Sequence, residues 1–152
     1  MPTSTPILRL AAALILDERG RMLVVRKRGA TLFQQAGGKL DPGETAIEAV
    51  IRELNEEIGV HVSADVLVPL GRFSAPAANE AGFMVEAEVF RLDLVAPSIV
   101  PAAEIEEIRW IDPNTDVSTP LAPLTRDHLL PLASGEHTRP TRGRSLRTDP
   151  CV

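Results

Sequence analysis

Residues 38–60 read GKLDPGETAIEAVIRELNEEIGV, and from Thr45 onward they have the pattern of an amphipathic helix. Thr45 and Glu48 are spaced as a capping box, in which the hydroxyl accepts from the residue-48 amide and the carboxylate reaches back. Gly59 supplies the left-handed residue that ends the helix. Apolar residues recur between these caps at three- and four-residue spacing, which predicts a buried stripe of Ile47, Val50, Ile51, Leu54 and Ile58.

The same helix concentrates negative charge beside its apolar stripe. Glu53, Glu56 and Glu57 stand at positions i, i+3 and i+4, so their carboxylates are neighbours on the helix surface. Like charges at that spacing cost about 0.2–0.5 kcal/mol per pair, and Arg52 can bridge only the edge of the cluster. A solvated acidic face is the ordinary interpretation. A hard divalent cation, which prefers carboxylate oxygens, is the functional one.

Two upstream features favour the cation. Gly37 and Gly38 allow the backbone to approach a ligand closely, and we expect them to lie in a flexible loop that turns at residues 41–43. Glu44 adds a fourth carboxylate just before the helix. The sequence therefore predicts a site for Mg²⁺, with Mn²⁺ as a substitute.

Composition limits the class of protein. The 152 residues are 44% apolar and 24% charged, which is typical of one globular domain. A net charge of −5 disfavours a stable complex with nucleic acid or a membrane-surface role, since both depend on clustered Lys and Arg. The single cysteine, Cys151, cannot form an internal disulfide, so we expect a cytoplasmic protein. We expect it to be a monomer or a homodimer.

Apolar runs and turn signals alternate along the rest of the chain. A β-hairpin is predicted from the apolar runs at 7–16 and 21–26, which flank the turn-forming sequence DERG. The first run is not a typical signal peptide, because no Lys or Arg precedes it and Arg9 interrupts it. Further strands are predicted at 66–71, 83–94 and 106–111, a loop at 74–82, and a short helix at 124–130 bounded by two prolines. Residues 1–133 form the predicted domain, and the Arg- and Pro-containing residues 134–152 a mobile tail.

Residues 38–60 match every position of the signature of the Nudix hydrolases, G-x5-E-x7-R-E-U-x-E-E-x-G-U with U apolar. The matching residues are Gly38, Glu44, Arg52, Glu53, Leu54, Glu56, Glu57, Gly59 and Val60. The order of elements over roughly residues 7–131 also resembles this family, which implies an α/β/α sandwich around a central mixed β-sheet. Ala36 departs from the proline that many members place before the two glycines.

The resemblance implies an enzyme that hydrolyses a nucleoside diphosphate linked to another group, by metal-activated water. By residue-for-residue comparison, Glu56 and Glu57 resemble the principal metal ligands. Glu53 resembles a further ligand or the group that orients the water, with Arg52 holding it in place. Three positions complete the implied site: Gly37 and Gly38, either of whose carbonyls could be a ligand, and Glu44, which supports the site or binds an additional ion.

The general base commonly lies outside this signature in the family. Glu104 stands in a loop entering a strand, where related enzymes often place an extra carboxylate, and it is the preferred candidate. Glu80 and Glu86 are its rivals, and each of the three could equally be an ordinary surface residue.

Phosphate contacts are predicted at the end of the second strand. Arg26 and Arg28 flank Lys27 and should point to one face, while Lys39 follows the two glycines. Solvated side chains at a strand end are the alternative interpretation.

The substrate class is inferred from resemblance and from absences. The chain is similar to short MutT-type members that act on (d)NTPs, and its 3% aromatic content makes a strong base-stacking clamp improbable. Pro76 leaves an ADP-ribose or NDP-sugar pyrophosphatase as the alternative. A non-catalytic nucleotide sensor is the alternative from another class, but such proteins commonly have a degraded signature.

Overall fold

Six strands form one mixed sheet in the computed structural model, which describes residues 5–95, 97–116 and 118–134. The strands are β1 Ile7–Leu16, β2 Met22–Lys27, β3 Ala36–Lys39, β4 Val68–Pro76, β5 Met84–Asp93 and β6 Ile105–Ile111. Their order is β4-β5-β1-β2-β6, with β3 paired to β1. β1 runs parallel to β5, and the other pairs are antiparallel, including the predicted hairpin of β1 and β2.

Helices cover both faces of this sheet. Helix α1, Ala46–Ile58, packs on one apolar cluster that includes Val25 and Leu92. The other face carries a second cluster that includes Leu14 and Val89, covered by a π-helix at Thr125–Leu129 and by α2 at Leu130–Ala133. The predicted α/β/α sandwich is therefore confirmed. A short 3₁₀ helix at Ala64–Val66 connects α1 to β4.

Helix α1 has the caps that the sequence predicts. The Thr45 hydroxyl accepts from the Glu48 amide at 3.2 Å, the Glu48 carboxylate accepts from the Thr45 amide at 3.0 Å, and Gly59 is left-handed with φ 68°. Val50, Leu54 and Ile58 are fully buried, whereas two members of the predicted stripe, Ile47 and Ile51, are only partly buried.

The prediction of a flexible glycine loop at residues 37–38 was wrong, because these residues belong to strand β3. β3 pairs antiparallel with the middle of β1, placing Gly37 opposite Ala12 and Gly38 opposite Ala11. Gly37 has φ 138°, and a Cβ there would overlap the Ala11 carbonyl. The two glycines therefore hold the backbone in close contact with β1.

β4 differs from its predicted range. It begins at Val68 and continues to Pro76, so it includes the first residues of the predicted loop at 74–82. Two prolines are tolerated because β4 is an edge strand: Pro69 lies at a register shift and Pro76 is its last residue. β5 alternates between buried Val85, Ala87 and Val89 and half-buried Glu86 and Glu88.

The short helix also continues beyond its predicted end. Leu130 donates its amide to the Thr125 carbonyl, five residues back, which widens this turn into a π-helix. Pro131 follows at the start of α2, where it has no N–H to donate to the preceding helical turn. Pro131 therefore lies inside the helical segment instead of ending it.

The predicted tail lies, apart from Ser134, outside the described residues. Within the described residues, no helix is both long enough and apolar enough to cross a membrane.

Candidate active site

A cleft of about 350 Å³ opens at the end of the sheet where β1 and β5 begin and β2 ends. Charged side chains line one part of it: Lys27, Lys39, Glu53, Glu56, Glu80 and Glu104. The backbone of Gly37 and Gly38 lies between these groups. A larger cavity of about 550 Å³, at the opposite end of the sheet, contains no residue of the 38–60 signature, so the cleft is the candidate site.

Arg52 organises the acidic residues of α1. Its Nε and Nη2 donate to the two Glu44 carboxylate oxygens at 2.8 and 2.9 Å, and its Nη1 donates to Glu53 at 3.0 Å and to Glu56 at 3.2 Å. Nη2 also donates to the Lys39 carbonyl at 3.1 Å, which ties α1 to β3. Its Nε also lies 3.4 Å from an Asp41 carboxylate oxygen, so one guanidinium offsets four carboxylates, more than the sequence predicted.

Glu44 is held by this arrangement in one orientation. The bidentate pair with Arg52, together with a hydrogen bond from the Asp41 amide at 2.8 Å, lowers the pKa of Glu44 to about 2. The same contacts raise the pKa of Arg52. Since both Glu44 oxygens contact Arg52, and Glu44 does not line the cleft, the geometry favours a supporting role for it over direct metal binding.

Glu57 is separated from its two neighbours and, unlike them, does not line the cleft. It is 1% exposed, lies behind the glycine strand, and its Oε1 accepts from the Gly37 amide at 3.1 Å. Burial raises the pKa of Glu57 to about 7. The Gly37 hydrogen bond and Lys27 oppose this rise, whereas the charges of Glu53 and Glu104 add to it. Glu57 is thus a buried carboxylate with too little positive charge around it.

Gly38 is required by the position of Glu53. A Cβ at residue 38 would lie 2.5 Å from the Glu53 carboxylate, which is closer than real Cβ contacts allow. The absence of a side chain brings the β3 backbone against the carboxylate. A backbone carbonyl and a carboxylate can therefore approach the same ligand.

These donors fit a divalent cation by chemistry and charge. Within the described part of the chain, no three His, Cys, Asp or Glu side chains form a ready-made metal cluster, because Glu53 and Glu56 face Arg52 and Glu57 faces Gly37. The carboxylates of Glu53, Glu56 and Glu57 are nonetheless hard oxygen donors on adjacent turns of α1. Burial raises the pKa of Glu57, and a nearby cation would lower it again by stabilising the ionised carboxylate.

Arg26 and Arg28, two of the predicted phosphate contacts, do not line the cleft. Arg26 lies on the opposite face of β2, where it contacts Glu107 and the Phe33 ring. Arg28 pairs with Glu106 at 3.1 Å. Strand alternation instead directs Lys27 into the cleft.

Lys39, the third predicted phosphate contact, lines the cleft and pairs with Glu80 at 2.9 Å. Glu104 also lines the cleft and stands immediately before β6, whereas Glu86 pairs with Arg9 at 3.3 Å and does not reach it. Of the three carboxylates proposed as a general base, the structure therefore leaves Glu104 and Glu80.

Sequence reasoning missed the uncharged part of the site. Gln34, Gln35 and Asn79 line the cleft beside aliphatic side chains. Lys27 could have been found from the alternation of β2, since it follows buried Val25 by two residues. The amides have no comparable signal, because they stand in segments without periodicity.

A family model described as NUDIX domain matches residues 7–132. The chain therefore belongs to the Nudix hydrolase family, as the signature predicted. A Bacillus subtilis protein named "Putative 8-oxo-dGTP diphosphatase" is 28% identical over 105 residues, which cover 68% of this chain and 66% of that protein. Phosphatase NudJ of Escherichia coli is 27% identical over 104 residues, 67% of each protein. The chain thus spans about two thirds of these relatives.

Solved structures show the same fold. A MutT protein from Methanosarcina mazei is 23% identical and superposes with a TM-score of 0.71, over 90% of this chain and 99% of that one. A MutT Nudix hydrolase from Burkholderia pseudomallei gives 0.66 at 23% identity, covering 86% of this chain and 97% of that one.

Proposed function

We propose that this protein is a metal-dependent pyrophosphohydrolase that cleaves a phosphoanhydride bond in a nucleoside diphosphate linked to another group, with a (d)NTP as the preferred substrate. The observation that carries the proposal is the shared cleft, in which carboxylates of α1 face Lys27, Lys39 and the glycine strand. This combination suits a polyphosphate, whose negative charge needs both cations and metal-binding oxygens. The relatives named as a diphosphatase and a phosphatase support the same reaction class.

Each group has a separate task in this proposal. Glu56, Glu57 and a carbonyl of Gly38 would hold Mg²⁺ or Mn²⁺, with Glu53 as a further ligand. When bound, such an ion would neutralise phosphate charge and lower the pKa of a water molecule. Arg52 keeps Glu53 in place through the 3.0 Å contact.

The remaining charged groups act on the substrate and the proton. Lys27 and Lys39 would contact phosphate oxygens, and Lys39 would exchange its Glu80 partner for the substrate. Glu104 is exposed at the cleft edge and would accept the proton of the attacking water. Glu44 would hold Arg52 through its bidentate pair.

The test is product release from a panel of dNTPs, NTPs, ADP-ribose and a UDP-sugar, with Mg²⁺ and with EDTA. We expect turnover of a triphosphate only with the metal, and a loss of about 10²-fold or more in Glu53→Gln. Glu86→Gln is the matched control, because this carboxylate does not line the cleft. Full turnover in EDTA would disprove the metal role.

The panel also separates the alternatives. Cleavage of ADP-ribose or the UDP-sugar, with triphosphates left intact, would replace the substrate assignment. Tight binding of nucleotides without any turnover would indicate a sensor. We keep a small-molecule nucleotide as the partner, and the cytoplasm as the expected location.

A further inference from the structure

The cleft has a second part that the hydrolytic groups do not use. Leu8, Leu10 and Val85 line it from the apolar cluster beneath the C-terminal helix, on the sheet face opposite α1. Gln35 joins them from the segment just before β3. An aliphatic surface with an amide suits the organic part of a substrate whose phosphates lie near α1.

Gln35 is fixed in place by a residue ninety positions away. It is 6% exposed, and the Thr125 that contacts it is fully buried in the π-helix. The Thr125 hydroxyl oxygen lies 3.3 Å from the Gln35 backbone nitrogen and 2.6 Å from Gln35 Oε1. The hydroxyl accepts the first bond from the backbone N–H, so its own proton is available for the second.

The short second contact identifies the amide oxygen. A separation of 2.6 Å is ordinary for O–H···O and too short for most N–H···O bonds. Thr125 therefore donates to Oε1 of Gln35 and prevents the amide from turning over. The Nε2 amino group must then point away from Thr125.

This amino group has no protein partner within the described residues. Among those residues, the only side-chain nitrogen or oxygen that is both sealed from solvent and unpartnered belongs to Arg91. Gln35 Nε2 is therefore not sealed, and Gln35 is one of the residues that line the cleft. A buried, oriented donor directed into a ligand cleft prefers an acceptor over another donor.

We propose that Gln35 determines substrate specificity by donating its amide N–H to a carbonyl oxygen on the organic part of the substrate, the oxo group of a nucleobase. Thr125 is a positioning residue that sets the direction of this donor. This inference rests on the proposed hydrolysis of nucleotides. It adds which nucleobases the cleft should prefer to bind.

Two pairs of substrates test the donor directly. Inosine and adenosine triphosphates differ by an oxo group in place of an amino group, as do uridine and cytidine triphosphates. We expect kcat/KM to favour the oxo member of at least one pair by on the order of tenfold, the effect of one hydrogen bond worth about 1.4 kcal/mol. In Gln35→Leu this ratio should fall to about one, and Gln35→Glu, which only accepts, should reverse it.

Thr125 is tested through the same ratio. Thr125→Val removes the hydroxyl with little change of shape and should shrink the ratio toward one, whereas Thr125→Ser should restore it. Melting curves identify variants that fail to fold, and ratios are compared only for folded protein. Gln34→Leu is the matched control, since Gln34 lines the cleft without contacting Thr125.

The outcomes separate this inference from the proposed function. Equal kcat/KM within both pairs, or a ratio that survives in Gln35→Leu, would overturn the specificity role while leaving the hydrolase intact. A ratio lost in Gln34→Leu and kept in Gln35→Leu would assign it to the neighbour. Absence of turnover on every nucleotide would instead refute the proposed function.

Discussion

The burial of Glu57 makes the stability of the metal-free protein depend on pH. The pKa of Glu57 is about 7 in the folded protein, against an ordinary value of 4.5. Between these values the folded state keeps a proton that the unfolded state has lost. The stability that depends on protonated Glu57 is fully present below pH 4.5 and is lost as the pH rises through 7. A rise of about 2.5 in pKa corresponds to about 3.5 kcal/mol at about 1.4 kcal/mol per pKa unit.

Glu57→Gln removes this dependence while keeping an oxygen for the Gly37 amide. We expect the wild type in EDTA to lose about 2.5 kcal/mol more than the variant between pH 5 and pH 8.5, because Glu57 of the unfolded state is already largely ionised at pH 5. Urea unfolding at both pH values measures the difference, and other titrating groups cancel when the two proteins are compared. Adding Mg²⁺ at pH 8.5 should stabilise the wild type more than the variant.

Glu106→Gln is the matched control for this experiment, because Glu106 is exposed and lies outside the cleft. It should show the same fall in stability as the wild type. If Glu57→Gln lost as much stability as the wild type between the two pH values, burial would not be raising the pKa of Glu57. The argument that this carboxylate needs a cation would then fail.

Two further predictions separate catalysis from folding. Leu54→Ala should cost about 2–5 kcal/mol in urea unfolding, because Leu54 is fully buried, while turnover per folded molecule stays near normal. Gly38→Ala should do the reverse: its Cβ must displace the Glu53 carboxylate, so turnover should fall at least about tenfold with a smaller loss of stability. Normal turnover in Gly38→Ala would show that the close approach of these residues is not needed.

Local signals explain why helix α1 could be predicted from the sequence. The capping box, the left-handed Gly59 and the buried Val50 and Leu54 all depend on neighbours within a few residues. The hairpin of β1 and β2 is similarly local. These elements, together with the carboxylate spacing, were sufficient to identify the family.

The incorrect predictions concern interactions that the local sequence does not contain. β3 is a strand because Leu10–Ala13 of β1 offers it a partner, while two glycines in four residues suggest a loop. Gln35 meets Thr125 across ninety residues, so no local spacing could indicate that contact. Arg26 and Arg28 were expected to present one face of the strand to phosphate, but Lys27 shares the α1 face with the buried Val25 and lines the cleft.

The structure also answers why three glutamates can share five residues of one helix. The three carboxylates have different partners. Arg52 pairs with Glu53 and Glu56, but within the described part of the chain it has no contact with Glu57, which accepts from the Gly37 amide. The first two glutamates therefore have an ion-pair partner and line the cleft. Glu57 accepts one backbone hydrogen bond, which does not offset the rise in its pKa that burial causes. A cation bound between these groups would stabilise the ionised form of Glu57 and lower its pKa again. A purely solvated acidic face would not require that one of its carboxylates be buried.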